Sequence, residues 1–297
     1  MSKQKLLAHI VVLPRFFAAP FFGCAMLIGV ILAGGSIAAS STLLAFICCM
    51  FLMAASHSAN TLLDYSWTGL DKGEQRSVTK SYTGGCGVIA EGILTEKEVM
   101  VNSIGWFVLA LIPGLLLVST VTPYLIIPIL LAPAVAVWYS WSKFNYTHEL
   151  ALASGVVVAV LLGAMSTGTG NYLKPMLVAI PISMIFSFGG LALDEWPDAK
   201  ANLKKGVKSI AYKVYEYKID LGTYLMIWFA YAYIFQTLLI SIGILKSSTA
   251  ITFVLVPVLI GCCVFLKSKV EFAKVAKAIV IAAACYPLLL LIGEVVG

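Results

Sequence analysis

The hydrophobic residues of this chain occur in long stretches, rather than in the alternation of a half-buried strand or the stripe of a soluble amphipathic helix. Nine stretches contain about 20 mostly apolar residues, the length that an α-helix needs to cross a bilayer. They run approximately over Phe16–Gly34, Thr42–Leu63, Val99–Ser119, Pro123–Trp141, Glu149–Thr167, Pro175–Leu193, Leu221–Ile242, Ala250–Leu266 and Ala278–Val296. The pattern predicts an all-α polytopic membrane protein with nine transmembrane helices in a single membrane domain, residues 1–297.

The composition supports this fold class. Of the 297 residues, 61% are hydrophobic and 11% are charged, and the mean hydropathy is +0.97. Soluble domains are nearer half apolar and a quarter charged. This chain therefore lacks the polar surface of a soluble enzyme, a disordered protein or a nucleic-acid binder. A membrane β-barrel is disfavoured, because its strands alternate polar and apolar residues and these stretches do not.

The basic residues are distributed unevenly between the two sides of the predicted bundle. If nine spans alternate, 18 of the 20 Lys and Arg residues fall on one side, and only Lys174 and Lys246 fall on the other. The positive-inside rule makes the basic side cytoplasmic, which predicts a cytoplasmic N-terminus and an outside C-terminus. The net charge of +6 then follows from topology and requires no nucleic-acid partner.

The acidic residues mark a candidate site on the same side. Of the 14 Asp and Glu residues, 13 lie on the predicted cytoplasmic side or at cytoplasmic helix ends, and Glu294 is the exception. Ionisable groups beside apolar spans are costly and indicate function. One cluster ends the second span, where Asn60 and Asp64 share a helical face one turn apart and Asp71 follows. His57 precedes this cluster on the same span.

A second cluster ends the sixth span. Asp194, Asp198 and Asn202 are spaced four residues apart, so a continuous helix would align three oxygen ligands. Oxygen ligands suit Mg²⁺, which keeps several waters and is usually completed by substrate phosphates. Two such clusters facing each other would hold a metal-bridged diphosphate.

Two long cytoplasmic loops follow these clusters, at about residues 65–98 and 199–219, and form predicted cap loops. They carry Arg76, Lys80 and Lys208, and basic groups beside carboxylates are typical of sites that bind a phosphate ester and its metal. A further position ends the fourth span, where Tyr139 and Lys143 are one turn apart. A lysine that snorkels between interfacial aromatic residues would have the same pattern.

The motifs Asn60-x-x-x-Asp64, Asp198-x-x-x-Asn202 and Tyr139-x-x-x-Lys143, together with nine spans, resemble the UbiA superfamily of intramembrane prenyltransferases. The resemblance covers nearly the whole chain. Within the superfamily it is nearest to the MenA-like branch, the 1,4-dihydroxy-2-naphthoate prenyltransferases of menaquinone biosynthesis. The segments that carry this narrower resemblance are 60–71, 84–92, 194–198 and 206–208. Two positions depart from the usual motifs, because Thr61 and Asn202 stand where the superfamily has Asp.

The resemblance implies a reaction at the cytoplasmic face of the plasma membrane. Mg²⁺ held by the two clusters would bind a polyprenyl diphosphate, whose allylic group passes to a small aromatic acceptor, and the donor and the product would both be membrane lipids. The implied metal ligands are Asn60, Asp64, Asp194, Asp198 and Asn202. The implied diphosphate ligands are Arg76, Lys143 and Lys208. Asp64, Asp198, Lys143 and Tyr139 would be catalytic, Asp71 is a further candidate ligand, and His57 or Glu149 would assist proton removal.

Other functions remain open at this stage. The same fold serves other acceptors, such as 4-hydroxybenzoate, a phenazine or a glycerol-phosphate lipid. A secondary transporter is a different class, but it usually places ionisable residues near the middle of the bilayer. Here they concentrate at one face, which favours a reaction site at the membrane surface.

Overall fold

The computed structural model describes residues 2–72, 87–267 and 272–297, apart from the side chains of Phe17, Asp194, Asp198 and Lys267. Within these residues, all regular secondary structure is helical. The α-helices are α1 Lys3–Leu7, α2 Ala19–Leu32, α3 Ser40–Ser66, α4 Glu96–Thr120, α5 Ile126–Ser142, α6 His148–Met165, α7 Leu173–Ser183, α8 Leu191–Glu195, α9 Ala199–Lys204, α10 Ile210–Glu216, α11 Leu221–Ser241, α12 Val256–Lys267 and α13 Phe272–Val296. The 3₁₀ segments are Phe16–Ala18, Pro123–Leu125, Trp196–Asp198 and Ser247–Leu255, and the π-helical segments are Ala8–Val12 and Met184–Gly190.

Eight helical stretches of the described chain are long and apolar enough to cross a bilayer. They are Ser40–Ser66, Glu96–Thr120, Pro123–Ser142, His148–Met165, Leu173–Leu193, Leu221–Ser241, Ser247–Leu266 and Phe272–Val296. The first predicted span is helical as well, but α2 has only 14 residues. The membrane-protein class is confirmed, whereas nine crossing helices remain a prediction.

The outward faces of the bundle are apolar. Ile112, Leu130, Ile234 and Val254 are each at least half exposed, and many other large aliphatic side chains on these helices are exposed too. A monomeric soluble protein rarely exposes contiguous apolar surface of this extent, whereas lipid solvates it without cost. The chain is therefore an integral membrane protein.

Helices α2 and α6 approach each other very closely because two glycines lie at their crossing. A Cβ atom on Gly29 would overlap the carbonyl group of Val160, and one on Gly163 would overlap the carbonyl group of Met26. Small residues allow helix backbones to pack this tightly in membranes. This crossing places α6, and the connection that precedes it, beside α2.

The last part of the bundle contains a buried polar network beside the long 3₁₀ segment Ser247–Leu255. The Gln236 amide on α11 donates to Thr252 Oγ1 at 2.8 Å and to the Thr249 carbonyl at 3.0 Å. Tyr286 on α13 donates to Gln236 Oε1 at 2.9 Å. These bonds satisfy polar groups that the membrane does not.

Three connecting segments pack together at one end of the bundle, and we call them the cap: residues 67–72, 143–147 and 199–219. Leu70, Ala199, Val207 and Tyr212 are buried against one another there. The Lys205 ammonium donates to the Leu70 carbonyl at 2.9 Å. Part of the predicted second cap loop is thus helical, as α9 and α10. The cap joins the chain that leaves α3, α5 and α8.

Candidate functional site

The centre of the site is a charge pair between two distant helices. Asp64 is buried near the end of α3, and Lys143 directly follows α5. The Lys143 ammonium lies 2.5 Å from Asp64 Oδ2 and 5.4 Å from the centre of the Tyr139 ring. Tyr139 and Lys143 share a face of the helix because they are four residues apart. The structure therefore brings three of the predicted site residues together.

Asn60 lies one turn before Asp64 on the same face of α3, as its spacing predicts. It is buried, and its Oδ1 accepts a hydrogen bond from Ser140 Oγ at 3.0 Å. This bond joins α3 to α5 next to the Asp64–Lys143 pair. Ser140 is not predicted by sequence reasoning, since a serine within an apolar span carries no distinctive signal.

Two oxygen atoms of predicted metal ligands are buried without a hydrogen-bond partner in the described part of the chain. They are Asp64 Oδ1 and Asn202 Oδ1. The Asn202 amide nitrogen donates to the Tyr212 hydroxyl at 2.7 Å, which fixes the direction of the side chain. A buried acceptor with no partner is costly unless something else satisfies it. Oxygen atoms of this kind are the donors that Mg²⁺ prefers, so these two residues fit the metal.

The second acidic cluster lies on the helical turns that follow α7. Asp194 belongs to α8 and Asp198 ends the Trp196–Asp198 segment, but both side chains lie outside the described set. Among the described side chains, His, Cys, Asp and Glu form no group of three that could hold a metal. The backbone shows where the second cluster lies relative to the first. Ala199 directly follows Asp198, and it is buried in the same hydrophobic cluster as Leu70, which lies six residues after Asp64.

The connection between α5 and α6 contacts both acidic clusters. At its start, Lys143 binds Asp64, and at its end, His148 Nε2 lies 3.2 Å from Glu195 Oε1. The His148 ring packs against Tyr139 with 4.2 Å between centroids. Sequence reasoning misses His148 and Glu195. The sequence does contain a signal for each residue. Glu195 lies between two candidate metal ligands, and His148 lies at the start of a predicted span.

The remaining cationic candidates divide into described and undescribed residues. Lys208 is exposed in the cap, where its main-chain N–H donates to the Lys143 carbonyl at 2.6 Å. Its ammonium lies 5.9 Å from the centre of the Tyr146 ring. Arg76 and Lys80 lie outside the described residues. Asp71 is half-buried in the cap, and its N–H donates to the Asp64 carbonyl at 3.3 Å.

An apolar cavity of about 120 Å³ lies among α2, α3, α5 and α6 beside these groups. Six of its lining residues offer polar groups or an aromatic face, and they are Arg15, Phe22, Ser56, His57, Asn60 and Tyr139. Arg15 has a left-handed backbone, with φ of 51°, and its buried Nε has no hydrogen-bond partner within the described chain. His57 Nε2 is also buried without a hydrogen-bond partner within the described chain. The cavity therefore combines apolar walls with a cation and an imidazole.

Glu149, a predicted candidate for proton removal, lies at the start of α6 and contacts the cap. It is 1% exposed and is not among the residues that line the cavity. Its Oε1 accepts hydrogen bonds from the main-chain N–H groups of Ile210 at 2.7 Å and Ala211 at 3.1 Å. The carboxylate is thus bonded to the cap backbone.

Comparison with known proteins identifies the fold. No protein-family model and no curated protein sequence matches the chain. A UbiA homologue from Aeropyrum pernix K1 has a TM-score of 0.74 at 15% identity, with 95% of this chain and 98% of that chain covered. A UbiA homologue from Archaeoglobus fulgidus bound to DMAPP and Mg²⁺ gives 0.61 at 17% identity, with 96% and 99% covered. A digeranylgeranylglyceryl phosphate synthase gives 0.62 at 18% identity, with 99% of each chain covered. The chain therefore has the fold of the UbiA homologues.

Proposed function

We propose that this protein is a Mg²⁺-dependent intramembrane prenyltransferase that transfers a polyprenyl group from a polyprenyl diphosphate to an aromatic acceptor. One observation carries the proposal: the Asp64–Lys143 pair, with an unpartnered carboxylate oxygen, lies beside an apolar cavity in a UbiA-type fold. The Archaeoglobus fulgidus homologue bound to DMAPP and Mg²⁺ supports a prenyl diphosphate as substrate and Mg²⁺ as the metal here.

The residues that would hold Mg²⁺ are those of the two oxygen clusters: Asn60, Asp64, Asp194, Asp198 and Asn202. When bound, the metal neutralises the diphosphate and so favours its departure. Lys143, Lys208 and Arg76 supply further positive charge to the diphosphate oxygens, and Asp71 is a further candidate ligand. Thr61 and Asn202 stand where the superfamily motifs have Asp, so each removes one negative charge from the site that those motifs imply.

The cavity separates the reacting carbon from water. Breaking the bond between the allylic carbon and the diphosphate oxygen leaves positive charge on the allylic group, and the face of an aromatic ring stabilises such charge. Tyr139 already has the Lys143 ammonium within cation–π distance. An electron-rich acceptor carbon then forms the new bond, and His57 at the cavity wall is positioned to take the proton released from the ring.

The proposed acceptor is an aromatic acid of the 1,4-dihydroxy-2-naphthoate type, which places the protein in menaquinone biosynthesis. Arg15 supports an acidic acceptor, because it is the one cationic residue among the described residues that line the cavity. A second candidate is a glycerol-phosphate lipid, which the similarity to digeranylgeranylglyceryl phosphate synthase favours. 4-Hydroxybenzoate or a phenazine would use the same cavity. A secondary transporter fits less well, because the described site lies at one end of the bundle.

The proposed orientation has nine membrane helices, a cytoplasmic N-terminus and an outside C-terminus. The cap and the metal site then face the cytoplasm at the plasma membrane, where soluble acceptors and diphosphates are made. The donor chain and the product both remain in the lipid phase.

The test uses purified protein in detergent or lipid nanodiscs with Mg²⁺, labelled prenyl diphosphates and a panel of acceptors. Dihydroxynaphthoate, hydroxybenzoate and a geranylgeranylglyceryl phosphate distinguish the acceptor classes. We expect prenylated product, its loss in EDTA, and a fall in kcat/KM of about 100-fold in Asp64→Asn and in Asp198→Asn. Glu216→Gln, at an exposed position on α10, is the matched control. Undiminished turnover in Asp64→Asn would exclude the proposed site.

A further inference from the structure

Glu149 is a buried carboxylate whose described partners are all main-chain groups. It is 1% exposed at the start of α6, and among the described residues it forms no ion pair with a lysine, arginine or histidine. One oxygen accepts both the Ile210 and Ala211 N–H groups. Burying a carboxylate without a counter-ion is costly, so its retention here requires an explanation beyond packing.

The cap segment 208–211, which is bonded to Glu149, also bonds to Lys143, the partner of Asp64. Lys208, two residues before Ile210, donates its N–H to the Lys143 carbonyl at 2.6 Å. The Tyr146 N–H donates back to the Lys208 carbonyl at 3.3 Å. Lys208 is therefore attached by main-chain hydrogen bonds to Lys143 and Tyr146 of the α5–α6 connection, while Ile210 and Ala211 are attached to the Glu149 side chain. A displacement of this segment would act directly on the backbone of Lys143.

We propose that Glu149 is a positioning residue that fixes the cap segment 208–211, so that Lys143 and Lys208 are held in place for the diphosphate. The inference rests on the proposed prenyl-transfer function. Glu149 touches neither substrate nor reacting atoms in this arrangement, and it acts through the two lysines. Loss of the hydrogen bonds from Ile210 and Ala211 to Glu149 should raise KM for the prenyl diphosphate more than it lowers kcat.

The local backbone allows one hydrogen bond to be removed without changing Glu149. Ile210 is the first residue of α10, and Ser209 before it is extended, with φ of −128° and ψ of 165°. Proline is well tolerated at the first helical position and requires an extended preceding residue. Ile210→Pro therefore deletes the N–H donor to Glu149, and Ile210→Ala removes a similar amount of side chain while it keeps that donor.

The experiment measures KM for the prenyl diphosphate, kcat and the unfolding midpoint in each variant. We expect Ile210→Pro and Glu149→Ala to raise KM by about 10-fold or more. Ile210→Ala and Glu149→Gln should stay near wild type, because an amide oxygen can accept both N–H groups. In a Lys208→Ala background, the effect of Glu149→Ala on KM should become smaller, because only the part that acts through Lys143 remains, whereas a purely structural helix cap would change KM and the unfolding midpoint equally in both backgrounds. The exposed Glu216→Ala is the control for lost charge.

Equal KM values in Ile210→Pro and Ile210→Ala would overturn the inference. If the wild type forms no product, the proposed function fails. The affinity for Mg²⁺ pyrophosphate is then compared between Ile210→Pro and Ile210→Ala, and equal affinities would again overturn the inference. Hydrogen exchange over residues 209–216 provides a measurement that does not depend on activity. Faster exchange in Glu149→Ala is expected, and unchanged exchange would contradict the proposed role of these hydrogen bonds.

Discussion

At the residue scale, the site depends on two opposite charges that are both largely withdrawn from water. The side chains of Lys143 and Asp64 are 14% and 5% exposed. Removing one partner of a buried pair leaves the other as an uncompensated charge. A divalent cation bound to Asp64 would neutralise part of the carboxylate charge that Lys143 otherwise neutralises. If Asp64 binds the metal as proposed, the pair couples the stability of the protein to metal binding.

Lys143→Gln tests this coupling. Without Mg²⁺, we expect a loss of about 3–5 kcal/mol of stability, because the Asp64 carboxylate keeps its burial and loses its counter-ion. Adding Mg²⁺ should raise the unfolding midpoint of the variant more than that of the wild type. Lys213→Gln is the control, since the exposed Lys213–Glu216 pair is worth only about 0–1 kcal/mol. Equal stabilisation by Mg²⁺ in both proteins would argue against Asp64 as a ligand.

Arg15→Gln tests the chemistry of the acceptor. If the guanidinium binds an acid group, the variant should raise KM for a carboxylated acceptor by about 10-fold or more, in line with the loss of a charge-assisted hydrogen bond. KM for the prenyl diphosphate should change little. Steady-state kinetics with a carboxylated acceptor and its decarboxylated analogue would measure the difference. An equal change for both acceptors would place the acid group elsewhere.

The helical repeat predicts part of the site and not the rest. It places Asn60 and Asp64 on one face, and Tyr139 and Lys143 on another, because both pairs are four residues apart. It does not predict that Lys143 binds Asp64, since the two residues are 79 positions apart and meet only through the packing of α5 on α3. The same applies to His148 and Glu195, which lie 47 positions apart and meet through the contact of His148 Nε2 with Glu195 Oε1.

At the element scale, the crossing of α2 and α6 is the most restrictive contact. Gly29 and Gly163 lie where each backbone touches the other, so no side chain fits at either position. Since α6 begins with His148 and Glu149, its placement against α2 also determines where the α5–α6 connection lies. The crossing thus supports the site from a distance.

Gly163→Ala should therefore destabilise the protein. We expect a cost of about 1–3 kcal/mol, typical of overpacking, because the new methyl group must displace the Met26 carbonyl. Gly105→Ala on α4 is a matched control, since no described atom lies within 4 Å of its added Cβ. Thermal unfolding in detergent measures both variants. A Gly163→Ala protein as stable as Gly105→Ala would contradict the close crossing.

Hydropathy predicts the position of each span well and its internal geometry poorly. The second span, expected at Thr42–Leu63, is observed at Ser40–Ser66, and the ninth begins at Phe272 instead of Ala278. The π-helical segment Met184–Gly190 and the long 3₁₀ segment are not predicted, because apolar composition does not report the hydrogen-bond register. In the 3₁₀ segment, Thr249 and Thr252 accept hydrogen bonds from Gln236 on α11, a contact that the sequence pattern does not show.

At the scale of the whole molecule, the two ends of the bundle differ in their charged residues. The described cap residues carry lysines, whereas the connection between α6 and α7, residues 166–172, has no charged residue. Short loops rich in Lys and Arg stay in the cytoplasm during insertion. The cap and the candidate site should therefore face the same compartment.

Cysteine labelling tests this orientation. In a background without the native cysteines, Asn171→Cys should react with a membrane-impermeant maleimide in intact cells, because residue 171 is exposed on the predicted outer side. Lys213→Cys in the cap should react only after permeabilisation. Product formation by both variants confirms that each has folded. The opposite labelling pattern would reverse the proposed topology.

The 3₁₀ segment Ser247–Leu255 affects how far its span reaches. A 3₁₀-helix rises about 2.0 Å per residue and an α-helix about 1.5 Å, so nine residues extend about 18 Å where an α-helix would need about twelve. The 20-residue stretch Ser247–Leu266 thereby approaches the length of its 25-residue neighbour Phe272–Val296. A change of winding, rather than additional sequence, thus brings this stretch close to the length of its neighbour.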